Sequence, residues 1–310
     1  MSAFADALEA RDLDVLRRSP KADLHIHGIG GGDRAFVRER TGVDIAPVEG
    51  ILRSMAEMHA FSDKHLSPVF EGPAGRALAL EATFVQAQND GVTRIELGTD
   101  AWEITLHNGS ANSVWNSLCA ARQAGAPDID WIPQLGISRH CSIPAIERWM
   151  APLLDLGVFQ AFDLSGDEAA QPIEKFVPVY RRAKAAGLRL KAHVGEWGTA
   201  DDVWRAVEML ELSEVQHGIA ASASPMVMRA LADAGVRLNV CPTSNLMLGR
   251  VSDLRDHPIR ALYDAGVRVT INTDDPLIFG CTLSGEFLAL YEAGVMTAAE
   301  LDGIRVEGLQ

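Results

Sequence analysis

The chain has 310 residues, a formal net charge of −14 and an apolar fraction of 47%. The negative charge disfavours nucleic acids and anionic membrane surfaces as partners, because both would repel the protein at long range. The apolar fraction is typical of a folded globular protein. The N-terminus has no signal-peptide pattern, no segment approaches the ~18 apolar residues of a membrane span, and the four cysteines form no CxxC pair. We therefore expect a cytoplasmic protein, and the charge leaves a small neutral ligand possible.

Residues 4 to 18 have helical spacing and predict a surface helix that ends before Pro20. Residues 22–27 then alternate in the manner of a strand. Side chains two apart on a strand share a face, so His25 and His27 point the same way. In a barrel that face is the lumen, whereas on an isolated edge strand both histidines would be half-exposed.

A glycine-rich loop, Gly28-Ile29-Gly30-Gly31-Gly32, follows the two histidines. Such a segment suits a backbone that approaches another group closely. It lacks the Lys-Ser/Thr of a P-loop and the GxGxxG spacing, so we do not interpret it as a nucleotide loop. Residues 34–88 read as helices and are longer than an ordinary connection. They predict a helical insertion after the first strand, which could serve as a lid or as a plain packing layer.

The rest of the chain repeats one pattern, in which an apolar helical segment runs through a glycine into a short strand. This pattern occurs at Gly91, Gly187, Gly235 and Gly266 and is typical of alternating helices and parallel strands. The candidate strands are 22–27, 93–98, 132–137, 159–164, 188–193, 214–217, 237–241 and 268–273. Eight strand-helix units need about 250 residues, so we predict an α/β fold, a (β/α)8 TIM barrel forming a single domain over residues 1–310. A doubly wound sheet is the alternative.

The C-terminal ends of barrel strands are where functional side chains gather. Polar residues are concentrated at these predicted ends: His25 and His27, Asp163 to Glu168, His193 and Glu196, His217, Cys241 to Asn245, and Asn272 to Asp275. We therefore treat this face of the barrel as the candidate site.

Three imidazoles and one carboxylate on this face form a nitrogen-rich set suited to zinc with an open position for water: His25, His27, His193 and Asp274. A metal ion there lowers the pKa of water toward neutrality. His217 would be free of the metal, placed either to take a proton from this water or to stabilise it electrostatically. Successive strand residues diverge, so Asp275 is expected to hydrogen-bond the substrate or the hydroxide.

Glu196 follows His193 by three residues, across the flexible Gly195. This spacing allows the imidazole to hold a metal while the carboxyl group handles protons on the substrate. Cys241 is interpreted as a packed strand residue, because a Pro-Thr-Ser-Asn turn follows it and no paired histidine is evident.

Five motifs in this order resemble the adenosine and adenine deaminases of the metal-dependent amidohydrolase superfamily. They are His25-x-His27, His193-x-Gly195-Glu196, Gln216-His217-Gly218, Cys241-Pro242-Thr243-Ser244-Asn245 and Thr273-Asp274-Asp275-Pro276. The resemblance covers most of the chain, from about Ser19 to the helix after Pro276.

The resemblance implies a barrel with one Zn²⁺ per chain that hydrolyses the 6-amino group of an adenine-type purine to a 6-oxopurine and ammonia. It implies that the ligands are His25, His27, His193 and Asp274. It further implies that Glu196 protonates N1 and that His217 assists attack at C6. By the same resemblance Asp275 contacts N7 and the backbone of Gly166 contacts N3. A buried carboxyl such as Glu196 can stay protonated near neutral pH.

One position departs from the family pattern. An acidic residue usually lies two positions after the second histidine, where nucleoside deaminases are thought to hold the ribose, and here that residue is Ile29. This change disfavours plain adenosine and favours the free base or a purine with another N9 substituent. We place Ile29 and Gly30 among the substrate-binding residues.

Two alternatives keep the fold and change the function. A superfamily hydrolase of amides, esters or lactams would keep the metal, but would normally lack Glu196 together with Gly166. A non-catalytic binding protein would be expected to have lost a ligand or the acid, and neither is lost. The other zinc deaminase design, with HxE and PCxxC motifs, is absent from the sequence.

Overall fold

The computed structural model describes residues 2–310, which form an eight-stranded parallel sheet in the order β1 to β8. The strands are β1 Lys21–Asp23, β2 Val92–Asp100, β3 Asp130–Ser138, β4 Ala161–Ser165, β5 Arg189–Val194, β6 Glu214–His217, β7 Arg237–Val240 and β8 Arg268–Ile271. The sheet closes where Ile26 forms a bridge with Asp274. The structure thus confirms the predicted (β/α)8 barrel.

Helices connect the strands and surround the barrel. They are α1 Ala3–Ala10, α2 Leu13–Arg18, α3 Arg34–Thr41, α4 Met55–His65, α5 Gly72–Asn89, α6 Ala111–Gly125, α7 Ile143–Leu154, α8 Val177–Ala185, α9 Ala200–Leu210, α10 Pro225–Ala234, α11 Pro242–Met247, α12 Ile259–Asp264, α13 Pro276–Phe279, α14 Leu283–Glu292 and α15 Ala298–Gly308. Gly235 ends α10 in the left-handed region, with φ of 67°, and its N–H donates back into the helix. This is the glycine cap that the sequence pattern predicted. Within residues 2–310 no helix is both long and apolar enough to cross a membrane.

The first strand is shorter than predicted. After Asp23 the backbone leaves the β1 ladder and runs beside the end of β8 instead. Leu24 N–H donates to the Asn272 side chain at 2.8 Å, and His27 N–H donates to the Asp274 carbonyl at 2.9 Å. A side-chain oxygen therefore replaces a regular ladder contact, which places His25 and His27 beyond the strand.

The single N-terminal helix predicted over residues 4–18 is wrong, because the structure has two helices there. Arg11 takes a left-handed conformation with φ of 54° and ends α1. Asp12 then starts α2, with its side chain accepting a hydrogen bond from Val15 N–H at 3.0 Å. The helices are not confined to the surface either, since Leu8 and Leu16 are fully buried in the core.

The insertion after β1 contains α3 to α5 and packs over the C-terminal ends of the strands. It contributes Val37 and Phe70 to a hydrophobic cluster that is separate from the main core. Leu248, Leu277 and Ile278, which follow β7 and β8, belong to the same cluster. The insertion is therefore held against the segments that leave the last two strands.

Candidate metal and substrate site

A cavity of about 300 Å³ opens at the C-terminal ends of the strands, below α4. The sequence-predicted site residues that line it are His27, Ile29, Gly30, Gly166, His193, Glu196, His217, Asp274 and Asp275. His25 lies behind them, 1% exposed, with its ring toward the same point. The structure thus brings all the predicted site residues to one place.

Four ligand-type atoms converge at the floor of the cavity. The Nε2 atom of His193 lies 3.0 Å from His25 Nε2 and 3.2 Å from His27 Nε2. The Oδ1 atom of Asp274 lies 3.4 Å from His25 Nε2 and 3.0 Å from His27 Nε2. Tetrahedral zinc with bonds of about 2.0–2.1 Å needs donor atoms about 3.3–3.4 Å apart. These separations are close to that requirement.

The outer nitrogens of two of these rings lie beside hydrogen-bond acceptors. His25 Nδ1 lies 3.2 Å from the Asn239 carbonyl, and His193 Nδ1 lies 3.1 Å from Asp163 Oδ2. A proton on each Nδ1 suits these acceptors and leaves a lone pair on each Nε2. Two lone pairs that face each other at 3.0 Å repel unless a cation lies between them. The chemistry of this donor set fits a metal ion.

The two carboxylate oxygens of Asp274 have different surroundings, and Oδ1 is the one that faces the imidazoles of His25 and His27. Its backbone lies in the left-handed region with φ of 64°, and its Oδ2 accepts a 2.6 Å hydrogen bond from the Ser244 hydroxyl. Burial alone would raise the pKa of Asp274, but the neighbouring His25 and His27 hold it well below its usual range. The carboxylate therefore stays charged, with Oδ1 turned toward the imidazoles.

His217 also lies near these donors, and its ring could join His25, His193 and Asp274 as a ligand by distance alone. Its Nε2 atom, however, lies 3.9 Å from Oδ2 of Asp274, the oxygen bound by Ser244, whereas His27 is 3.0 Å from Oδ1. His27 completes the tighter set, and His217 lies beside it.

A chain of hydrogen bonds fixes the protons of His217. Ile259 N–H donates to His257 Nδ1 at 3.1 Å, so the His257 proton is on Nε2, 3.3 Å from Asn245 Oδ1. The Asn245 amide then donates to His217 Nδ1 at 3.2 Å. Burial and the neighbouring His25 lower the pKa of His217 well below its usual value. His217 is thus a neutral imidazole with its hydrogen on Nε2, which lies 3.5 Å from Glu196 Oε1.

Glu196 presents an acid to the cavity. Burial raises the pKa of its carboxyl group well above the usual range, and the negative charges of Asp274 and Glu168 add to this shift. Its Oε1 atom is buried and has no hydrogen-bond partner within residues 2–310. A protonated carboxyl with an uncommitted oxygen can donate to a bound ligand.

Glu168 is a residue whose role sequence reasoning missed. Its Oε1 accepts hydrogen bonds from the backbone N–H groups of Glu196 and Trp197 at 2.9 and 2.8 Å, and its Oε2 accepts one from Gly195 N–H at 2.8 Å. One carboxylate thereby fixes the whole turn that carries Glu196. The adjacent Asp167 accepts instead from Ala169 N–H in its own loop, at 2.8 Å.

The glycine-rich loop approaches Asp275. A Cβ atom on Gly30 would lie 1.7 Å from Asp275 Oδ1, so any side chain there would displace the carboxyl group. Burial and the charge of Asp274 raise the pKa of Asp275 to about 7, against the opposing effect of His27. Ile29 contributes only apolar surface to the cavity.

Three further residues lie close to the site: Cys241, Asp100 and Gln134. Cys241 is fully buried and packs its sulfur 3.2 Å from His25 Nδ1, and burial raises the pKa of its thiol well above the usual value. It is a packed residue, as the sequence indicated. Asp100 and Gln134, at the end of β2 and within β3, also line the cavity and were not singled out from the sequence.

Comparison with known proteins identifies relatives of the whole chain. The family model for adenosine deaminase matches residues 76–310. A Treponema pallidum protein, provisionally assigned as an adenosine/adenine deaminase, is 33% identical over 294 residues, which cover 95% of this chain and 98% of that protein. An adenine deaminase of Albidiferax ferrireducens is 31% identical, over 92% of this chain and 86% of its own length.

Among solved structures, an amidohydrolase from Burkholderia ambifaria with bound Zn has the same fold. It superposes with a TM-score of 0.78 at 22% sequence identity, over 100% of this chain and 88% of its own.

Proposed function

Because the chain belongs to the adenosine deaminase family, we propose that the residues gathered at the barrel mouth deaminate an adenine-type purine at C6 with one zinc ion. The protein is a hydrolytic deaminase that acts on a purine C–N bond, and its relatives favour this function over an amide, ester or lactam hydrolase. The observation that carries the proposal is the meeting of four metal-ligand atoms with the uncommitted oxygen of Glu196 in one cavity.

The ligand set supports zinc as the metal. Deaminases of this class are metal-dependent, and the set of three imidazole nitrogens and one carboxylate oxygen suits zinc. A bound metal ion would lower the pKa of a water molecule and so supply a nucleophile near neutral pH. His25, His27, His193 and Asp274 would hold it, with Asn239 and Asp163 fixing two of the rings.

Glu196 acts on the electrophile. C6 of an aminopurine is a poor electrophile, and a proton on N1 makes it a stronger one. The raised pKa keeps Glu196 protonated at neutral pH, and its uncommitted oxygen allows it to donate to N1. The Glu196 proton stays on N1 in the 6-oxopurine, and of the two protons of the attacking water one completes the ammonia that leaves and the other restores the Glu196 carboxyl group.

His217 acts on the nucleophile as a hydrogen-bond donor. Since Asn245 donates to Nδ1, the hydrogen of His217 is on Nε2, and a neutral ring in this form has no free lone pair toward the cavity. It therefore stabilises negative charge on the attacking oxygen rather than taking its proton.

Two further groups orient the ring. Asp275, with its pKa raised to about 7, is partly protonated near neutral pH and can donate to N7. Gly166 follows β4 with φ of 89° and borders the cavity, so its backbone N–H can reach N3. Together with Glu196 these groups hold the purine at three ring nitrogens.

The test is ammonia release by zinc-loaded protein from adenine, adenosine, deoxyadenosine, adenosine monophosphate and N9- or 5′-modified adenosines. We expect release from at least one of them, and none from Glu196→Gln protein that keeps its zinc. Absence of ammonia release from every compound of the panel, in protein that holds zinc, would overturn the proposal.

A further inference from the structure

The order of the strands around the barrel indicates which strand ends lie beside each edge of the purine ring. In the proposed pose, N7 lies by Asp275 after β8, N3 by Gly166 after β4, and N1 by Glu196 after β5. The strands follow one another in sequence order around the barrel. Going around the barrel from β8 through β1, β2 and β3 to β4 therefore corresponds to going around the purine ring from N7 through C8 and N9 to N3. The ends of β2 and β3 face N9.

Two hydrogen-bond acceptors border the cavity on these strands, Asp100 at the end of β2 and Gln134 within β3. Gly98 on β2 pairs with Gln134 on β3, and Asp100 pairs with Gly136. Each long side chain thus has a glycine beside it on the neighbouring strand, and both Asp100 and Gln134 reach the cavity. The fit is close, since a Cβ atom on Gly136 would lie 2.3 Å from Asp100 Oδ1.

These acceptors have capacity for a donor from a ligand. Gln134 is 9% exposed, and its buried Oε1 has no hydrogen-bond partner within residues 2–310. Asp100 Oδ2 accepts from the Trp102 indole at 3.2 Å, while Oδ1 is the atom that faces Gly136. Buried polar atoms are almost always paired in folded proteins, so an unpaired acceptor beside a substrate cavity points to a donor on the substrate.

We propose that Asp100 accepts a hydrogen bond from N9–H, so that this chain takes the unsubstituted 6-aminopurine base rather than its nucleosides or nucleotides. This inference rests on the proposed function and names its substrate class. Only the free base has a hydrogen on N9; a sugar replaces it with carbon and leaves Asp100 without this donor.

The surroundings of Asp100 also oppose a nucleotide. Glu103 is 8% exposed and lines the same part of the cavity, with Arg76 Nη1 3.7 Å from its Oε1. A phosphate there would meet two carboxyl groups and a guanidinium that already has an acidic neighbour. Ile29, in place of the usual acid, agrees with a site that holds no ribose.

The test compares kcat/KM for adenine, 9-methyladenine, adenosine and adenosine monophosphate in wild-type, Asp100→Ala and Asp100→Asn protein. We expect wild-type protein to prefer adenine over 9-methyladenine by about 100-fold or more. Asp100→Ala should lower activity on adenine by about 10–100-fold but spare 9-methyladenine, because the unpaired acceptor is removed. Asp130→Ala, on the opposite end of β3, is the matched control and should keep the wild-type ratio.

Two results would overturn the inference: a wild-type preference for adenosine or its phosphate, or an Asp100→Ala protein that keeps the wild-type ratio of activity on adenine to activity on 9-methyladenine, whether or not both activities fall. If Asp100→Ala does not fold, the wild-type ratio and Asp100→Asn decide. A preference for adenosine would refute only this inference, whereas absence of ammonia from every purine would refute the proposed function as well.

Discussion

The two halves of the cavity differ in how their polar atoms are satisfied. On the metal side, at the ends of β1, β5 and β8, three of the four ligand-type side chains have a second group beside them: Asn239 for His25, Asp163 for His193 and Ser244 for Asp274. On the purine side, Glu196 Oε1 and Gln134 Oε1 are buried without partners within residues 2–310. The metal side therefore offers a set of ligand atoms that fits a cation, and the purine side offers polar atoms that can form hydrogen bonds with a substrate.

Removal of a metal-ligating side chain is the change that should distinguish the metal side of the cavity from the purine side most clearly. We expect His193→Ala protein to bind no zinc and to lose at least about 10³-fold in activity, because three donors cannot replace the closed set. Elemental analysis and ammonia release measure both effects. His107→Ala, a histidine on the surface turn before α6, is the control and should keep zinc and activity.

A weaker change on the metal side is Asp163→Asn. The amide can still accept from His193 Nδ1 but carries no charge, so we expect zinc affinity to fall by up to about 100-fold. Competition with a chelator of known affinity measures it. Unchanged affinity would show that Asp163 does not tune the ligand.

On the purine side, Glu168→Gln should lower kcat by about 10–30-fold while zinc content stays at the wild-type level. The amide nitrogen must face at least one of the three backbone N–H groups that the carboxylate now binds, so the turn that carries Glu196 shifts. Asp167→Asn removes the same charge one residue away and is the matched control.

The same variant has a pH signature. Removal of the Glu168 charge lowers the raised pKa of Glu196, which then loses its proton at a lower pH. The alkaline limb of the kcat profile should therefore move to lower pH. A loss of activity with an unmoved limb would assign Glu168 a purely structural role.

The smallest effect is expected at His257, which reaches the substrate only through Asn245 and His217. His257→Leu should lower kcat by about 3–10-fold with little change in KM, because Asn245 loses its orienting donor. His257→Gln, whose amide can both accept from Ile259 and donate to Asn245, should restore most of the rate. Equal losses of kcat in the two variants would contradict a role for the hydrogen bonds from His257 through Asn245 to His217.

The sequence predicted the metal side better than the purine side. His25 and His27 are two residues apart, and the strand ends that carry His193 and Asp274 follow from the repeated helix-glycine-strand pattern. Glu168 could not be predicted, because it binds backbone N–H groups 27 to 29 residues away, which carry no residue-type signal. Asp100 and Gln134 depend on the register of β2 with β3, which the sequence does not reveal.

In the fold, too, some features could be predicted from the sequence and others could not. The eight strands could be placed from glycine caps and apolar runs, with β6 at the predicted residues 214–217. The end of β1 and the break at Arg11 could not, because Asn272 and Asp12 set them through side-chain hydrogen bonds.

The central claim is that one zinc ion and the acid Glu196 together deaminate an aminopurine. Zinc content and ammonia release from adenine, measured on the same preparation before and after chelation, test it most directly. We predict one zinc per chain, loss of ammonia release with the metal, and recovery on re-addition of zinc. Full activity in metal-free protein, or a stoichiometric zinc protein that releases no ammonia from any aminopurine, would contradict it.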